Sequence, residues 1–167
     1  MKIRLAGLVA DSIVDGPGFR FTIFTQGCPH HCEGCHNPQT HDFNGGRYAD
    51  CDKIIEKICQ NKLTAGVTFS GGEPFCQPEP CAYTAKRLKG LDYHLMAFTG
   101  YTFEQLFEMS QKDKYVKEFL SCLDIIIDGK FDLSQRSLEL KYKGSKNQRT
   151  IDVQESLKQG RAVEIEI

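Results

Sequence analysis

Apolar and polar residues begin to alternate with a period of two near residue 20, where Phe21-Thr22-Ile23-Phe24 reads as a strand. A helical stripe follows over 51–62, with Ile54, Ile55, Ile58 and Cys59 on one face. Gly66-Val67-Thr68-Phe69 gives a short strand, and 78–89 a second helix that aligns Cys81, Ala85 and Leu88 and stops at Gly90. His94 to Phe98 is the next strand. Thr102 and Gln105 then form a capping box ahead of Phe103, Leu106 and Phe107. Val116, Phe119 and Leu120 predict another helical turn, and Asp124-Ile125-Ile126-Ile127 a buried strand. Outside this run, Ile3 and Leu5 alternate with charges as an extra edge strand, Tyr142 to Gln148 is a polar, basic loop, and Ala162 to Ile167 alternates as a last strand.

Strands alternating with helices predict parallel pairing through helical crossovers. A full eight-fold barrel takes about 250 residues, so a chain of 167 is too short for one. The predicted fold is α/β, a partial, open β/α barrel with a mostly parallel sheet. It forms one domain over 1–167, with a core over about 18–130 and a C-terminal segment 131–167 that packs against it or contacts a partner. Each predicted strand runs into polar or glycine-rich residues: Gln26-Gly27-Cys28, Ser70-Gly71-Gly72-Glu73, Thr99-Gly100-Tyr101 and Asp128-Gly129-Lys130. Strand C-terminal ends share one face of such a fold, where chemistry sits, so these motifs are expected to converge on one pocket.

Charge and composition narrow the classes. With 21 basic and 22 acidic residues the net charge is −1, which leaves no domain-wide basic surface for a nucleic acid. The N-terminal apolar stretch is broken at Gly7 and ends at Asp11, too short for a signal peptide or a membrane span. No membrane association is expected, and a cytoplasmic location is. The eight cysteines point the same way, because cytosolic thiols stay reduced. Three of them crowd into eight residues while the others scatter, which suggests a metal site plus ordinary thiols.

The crowded segment is Gly27-Cys28-Pro29-His30-His31-Cys32-Glu33-Gly34-Cys35-His36, spaced C-x3-C-x2-C. Three thiolates on a short loop can wrap one iron–sulfur cube and leave one iron open to a substrate. A zinc site is the alternative, with His30, His31 or His36 as fourth ligand. Zinc sites of that kind join two ligand pairs, and no second pair is evident, since Cys76 and Cys81 straddle a helix start with Cys81 on its apolar face. Unreactive core thiols are the third reading.

C-x3-C-x2-C at the end of a first barrel strand resembles the signature of the radical S-adenosylmethionine (SAM) superfamily. Many members carry an aromatic residue before the third cysteine. Here it is Gly34, as in the activases of anaerobic (class III) ribonucleotide reductase. Val14-Asp15-Gly16-Pro17-Gly18-Phe19-Arg20 is similar to a loop of glycyl-radical activating enzymes, and Gly144-Ser145-Lys146-Asn147-Gln148-Arg149 to a segment of the reductase activases. The resemblance covers about residues 5–155. It implies a partial barrel of the radical SAM type and a 4Fe–4S cluster on Cys28, Cys32 and Cys35. It implies SAM at the open iron, cleaved reductively to a 5′-deoxyadenosyl radical.

By the same resemblance, the backbone at Gly71 and Gly72 receives the SAM ammonium and Glu73 reinforces that site. Lys130 pairs with the carboxylate, Asp128 helps hold a cation or the amino-acid part, and Thr99 lines the pocket. Gly34, Cys35 and His36 lie by the adenine, and Arg20 faces the substrate. The remaining histidines, His30 among them, are read as structural or exposed. The implied protein substrate is the large subunit of anaerobic ribonucleotide reductase, and the reductant a flavodoxin or ferredoxin-type carrier. Alternatives are another glycyl-radical target such as pyruvate formate-lyase, an electron carrier with a fourth protein ligand, and a zinc-binding interaction module.

Overall fold

The computed structural model describes residues 1–167. Its strands are β1 (Lys2–Ser12), β2 (Arg20–Thr25), β3 (Arg47–Asp50), β4 (Gly66–Gly71), β5 (His94–Phe98), β6 (Ile125–Asp128) and β7 (Arg149–Asp152). Its helices are α1 (Cys51–Gln60), α2 (Pro78–Gly90), α3 (Phe103–Ser110), α4 (Lys114–Cys122) and α5 (Val153–Gln159). All strands join one open sheet in the order β3-β1-β2-β4-β5-β6-β7. The centre, β2-β4-β5-β6, is parallel, with Thr25 opposite Gly71 and Phe98 opposite Ile127. The outer pairs are antiparallel. The fold is the expected α/β open sheet.

Period-two alternation sorts the central strands into two faces. Ile23, Phe69, Leu95 and Ile126 point into a cluster of 26 buried residues shared with the helices. Phe119 of α4 keys this layer, with ring centroids 5.0 Å from Phe69 and 4.6 Å from Phe75. The other face carries Thr22, Thr68, Ser70 and Phe98, with a small apolar floor of Met96, Ile125 and Ile127. Helices therefore cover one side, and the side left to polar groups holds the site.

Local chemistry fixes the helix starts. Asp50 caps α1 through Asp52 N–H at 2.8 Å, and the Thr102–Gln105 capping box opens α3 as predicted. Three elements escaped the periodicity. β3 is a mostly exposed four-residue strand that pairs with Lys2–Leu5, so β1 lies one strand in from the edge. β7 and α5 occupy Arg149–Gln159, where Ile151 is the only apolar residue of the strand. The tail Ala162–Ile167 is not a strand. It meets the outer edge of β7 only through Asp152 N–H to Val163 O, Ile165 N–H to Thr150 O and the isolated bridge Ile151 to Glu164, too short a contact to make a ladder, and its Ile165 and Ile167 pack on the Met96 floor. No helix is long and apolar enough to cross a membrane.

Candidate functional site

The parallel strands all end at one edge, and the segments leaving them enclose a cavity of about 570 Å3. Cys28, Cys32 and Cys35 line it, together with Gly71, Gly72, Thr99, Gly100 and His36. The loop from Gln26 to Asn37 has no regular secondary structure. It is anchored at its start, where Gly27 N–H donates to Thr40 O at 2.7 Å and Cys28 N–H to His41 O at 3.2 Å.

All eight cysteines are free thiols. Cys28 is buried, and burial pushes its thiol up. Cys32 and Cys35 are half-buried, and Asn37 N–H points at Cys35 Sγ from 3.5 Å. No group of three His, Cys, Asp or Glu side chains comes together as it would around one metal ion. Three soft donors on one cavity wall fit a polynuclear iron–sulfur group.

Glycines make the close approach between cysteine loop and strand end. A Cβ on Gly72 would lie 2.4 Å from Gly27 O, and Gly71 sits at φ +96°. Only glycine tolerates both demands. Gly72 N–H donates to Thr25 O and Glu73 N–H to Gly27 O, each at 2.8 Å, so the two loops are stitched through backbone.

Glu73 does not line the cavity; its side chain turns beneath it and is 1% exposed. Oε1 accepts from Phe75 N–H at 3.1 Å, and Oε2 from Gly100 N–H at 2.8 Å. Thr99 Oγ1 donates to the carboxylate at 2.9 Å. A carboxylate only accepts, so His30 donates through Nε2, at 2.8 Å. His30 sits between Cys28 and Cys32 and lies edge-on to Tyr101 at 4.7 Å. Glu73 thus ties the cysteine loop to the ends of β4 and β5. His30, read from the sequence as merely structural or exposed, is the other half of that tie.

Asp128 and Lys130 also lie outside the cavity lining. Asp128, 1% exposed, accepts from Phe103 N–H at 2.7 Å and Arg149 Nε at 3.0 Å. Arg149 reaches Glu104 as well, and these carboxylates raise its pKa. Positive φ at Gly129 (+95°) turns the chain outward, and exposed Lys130 enters a shallow surface groove with Glu33, Leu133 and Asn147. Gly34 faces the same side, where a Cβ would meet Leu133 at 2.9 Å. Arg20 lies at the opposite end of β2 and is 1% exposed. Its guanidinium donates to Thr68 Oγ1 at 2.7 Å, Val67 O at 3.0 Å and His94 O at 3.1 Å, and desolvation lowers its pKa to about 10. It ties strand starts together and does not face the cavity; from its loop, Val14 and Asp15 do.

The cation that does line the cavity is Lys143, the only Lys or Arg to do so, and no acidic side chain pairs with it. Gly144, Ser145 and Gln148 hold it there, while the Lys146 side chain is exposed. Gln148 Oε1 accepts from Gly144 N–H at 2.9 Å and Ser145 N–H at 3.1 Å, while Nε2 donates to Gly129 O at 3.1 Å. Asn147 donates to Lys130 O at 2.7 Å. The sequence motif was visible; that it pins the preceding lysine over the end of β6 was not.

Residues 14–151 match the family described as a 4Fe-4S single cluster domain. The chain is 34% identical over 144 residues to the anaerobic ribonucleoside-triphosphate reductase-activating protein of Vibrio cholerae, spanning 81% of this chain and 89% of that one. It is 31% identical over 144 residues to the protein of the same name from Enterobacteria phage T4, spanning 81% and 85%. The pyruvate formate-lyase-activating enzyme of Clostridium pasteurianum is 38% identical, but over 81 residues, 46% of this chain and 34% of that one. Among solved structures, QueE from Escherichia coli superposes with TM-score 0.48 and 17% identity over 61% of this chain and 54% of the other, too slight a likeness to bear on fold or function.

Proposed function

The chain belongs to the 4Fe-4S single cluster domain family and to the anaerobic ribonucleoside-triphosphate reductase-activating proteins, and from that premise we infer that it activates an anaerobic ribonucleotide reductase with SAM. The observation that carries the reading is the single cavity on which three free thiols, the Gly71-Gly72 backbone and one unpaired lysine converge. When bound, the 4Fe–4S cluster supplies the electron that cleaves SAM to methionine and a 5′-deoxyadenosyl radical, which removes a hydrogen from a backbone glycine of the reductase.

The chain's own work is ligation, orientation and shielding. Cys28, Cys32 and Cys35 would hold the cluster by three thiolates, leaving it room to take SAM. Gly71 and Gly72 present backbone carbonyls to the ammonium, in a turn that side chains would obstruct. Lys143 replaces Lys130 as the cation for the carboxylate, because it is the one that lines the cavity. The Cys35–His36 backbone borders the adenine. Glu73, outside the lining, and His30, on the cavity wall, position the cysteine loop through their mutual bond. Residues 1–167 act as one domain, with Phe131 and the Tyr142–Gln148 turn closing the cavity rim.

Relatives named as reductase-activating proteins align across most of both chains. The pyruvate formate-lyase-activating enzyme aligns over less than half of either, which favours the reductase as target. A flavodoxin or ferredoxin-type protein in the cytoplasm is the natural electron source. The test is anaerobic reconstitution with iron and sulfide, followed by reduction with SAM and the candidate reductase. A glycyl EPR signal on the reductase and stoichiometric 5′-deoxyadenosine are expected. A reduced, iron-loaded protein that leaves SAM intact would end the reading.

A further inference from the structure

A cluster that fires one electron per turnover must be reached by a donor, and the cavity is already committed to SAM and the reductase's glycine loop. The electron needs a second approach. The structure offers one on the outer side of the cysteine loop, where Glu33 and Gly34 are exposed. The segment after β6 packs on that loop: Leu133 lies against Gly34, and Phe131 forms the partition, lining both the cavity and the groove that holds Glu33 and Lys130.

That segment is unusual in charge. Residues 130–149 carry six of the chain's 21 basic residues and two of its 22 acidic ones, in a chain whose net charge is −1. Lys130, Arg136, Lys141 and Lys146 are exposed and none pairs with an acidic side chain. Of the two acids, Asp132 spends its carboxylate on Ser134 and Gln135. The other, Glu139, is exposed; from outside the segment, Asp128 and Glu104 are taken up by Arg149, and Glu33 lies in the groove beside Lys130. Leu133 and Leu138, 42% and 88% exposed, stand among the cations as apolar contacts.

We propose that this face, Lys130 to Lys146 against the outer side of the cysteine loop, is the docking surface for an acidic one-electron carrier protein. The proposal rests on the functional reading above. In the step, the reduced carrier gives one electron to the oxidised cluster and is itself oxidised by one; cleavage of SAM then consumes that electron. Opposite charge would steer the encounter and raise the association rate, most strongly at low salt.

The test compares two reductants on the iron-loaded protein: reduced flavodoxin as the acidic carrier, and photoreduced deazaflavin as a small reductant that needs no docking. The variant is Arg136→Glu/Lys141→Glu/Lys146→Glu, with the milder Arg136→Gln/Lys141→Gln/Lys146→Gln alongside in case charge reversal impairs cluster loading. At low salt the rate constant for reduction by flavodoxin should fall about ten-fold or more in the reversed variant, and less in the neutral one. Added salt should slow the native protein and not the reversed variant. Deazaflavin should reduce all three alike, with equal 5′-deoxyadenosine. Undiminished reduction of the variants by flavodoxin overturns the proposal. So does a variant that keeps flavodoxin reduction yet, with deazaflavin, no longer activates the reductase, since the face would then belong to the reductase. Absence of 5′-deoxyadenosine from the native protein with deazaflavin would instead sink the functional reading, while flavodoxin reduction still judges the docking face.

Discussion

Glu73→Gln separates a tie from a ligand contact. The substitution keeps size and removes the charge, so only the hydrogen-bond bookkeeping changes. Oε1 faces Phe75 N–H and Oε2 faces Gly100 N–H, with Thr99 and His30 donating as well. A glutamine has one oxygen and one NH2, and either orientation aims that NH2 at a backbone N–H. One buried donor is left unsatisfied, at about 1–3 kcal/mol, and the surviving bonds lose their charge assistance. A loss of about 3 kcal/mol follows, which for a domain of this size lowers Tm by roughly 6–12 °C. The assay is thermal unfolding of the reduced, iron-free protein, where neither cluster nor SAM contributes. His30→Ala should be non-additive with Glu73→Gln, because the two side chains share one bond and the substitution at either end alters it. An unchanged Tm with lost SAM affinity would refute the reasoning and return Glu73 to the ligand.

Four further outcomes are expected. Cys28→Ala, Cys32→Ala and Cys35→Ala should each reconstitute with little iron and form no 5′-deoxyadenosine, whereas Cys122→Ala should load normally; iron analysis and product chromatography read both. Lys143→Ala should weaken SAM binding by about ten- to a hundred-fold, the worth of a hydrogen bond between charged groups, while Lys130→Ala leaves it unchanged; calorimetry on the iron-loaded protein shows whether the two are reversed. Arg149→Met strips the buried Asp128 of its cation and should cost about 3 kcal/mol in urea unfolding; a neutral result would mean that Phe103 N–H suffices. Burial raises the thiols of Cys51, Cys76, Cys81 and Cys122, with Cys76 pushed up to about 11 from 9.0. Protons then leave the unfolded chain first, so stability should hold below pH 9 and fall as pH rises towards 11; equal urea midpoints at about pH 8 and about pH 11, either side of that window, would contradict it.

The central architecture was legible in the sequence because it rests on local, repetitive signals. Alternation placed β2, short apolar runs bounded by polar or glycine residues placed β4, β5 and β6, the capping box placed α3, and the polar ends of those strands placed the cavity. The cysteine spacing carried the cluster, since three soft donors within one short loop need no long-range contact to be recognised. Residues in motifs could be found, but which way each side chain points could not. Glu73 and Asp128 turn into the protein to satisfy backbone N–H groups, and Gly129 turns Lys130 out of the site. Lys143, 15 residues past the end of β6, is carried into the cavity by a turn that Gln148 holds. β3 and β7 are strands only because a neighbour's unpaired edge recruits them, and their polar residues hold no period of their own. The sequence determined which chemistry is present and at which end of the sheet it gathers. Tertiary structure decided which charges face the ligand and which are spent holding the walls, because burial and backbone hydrogen bonds compete for the same side chains and no local pattern records the winner.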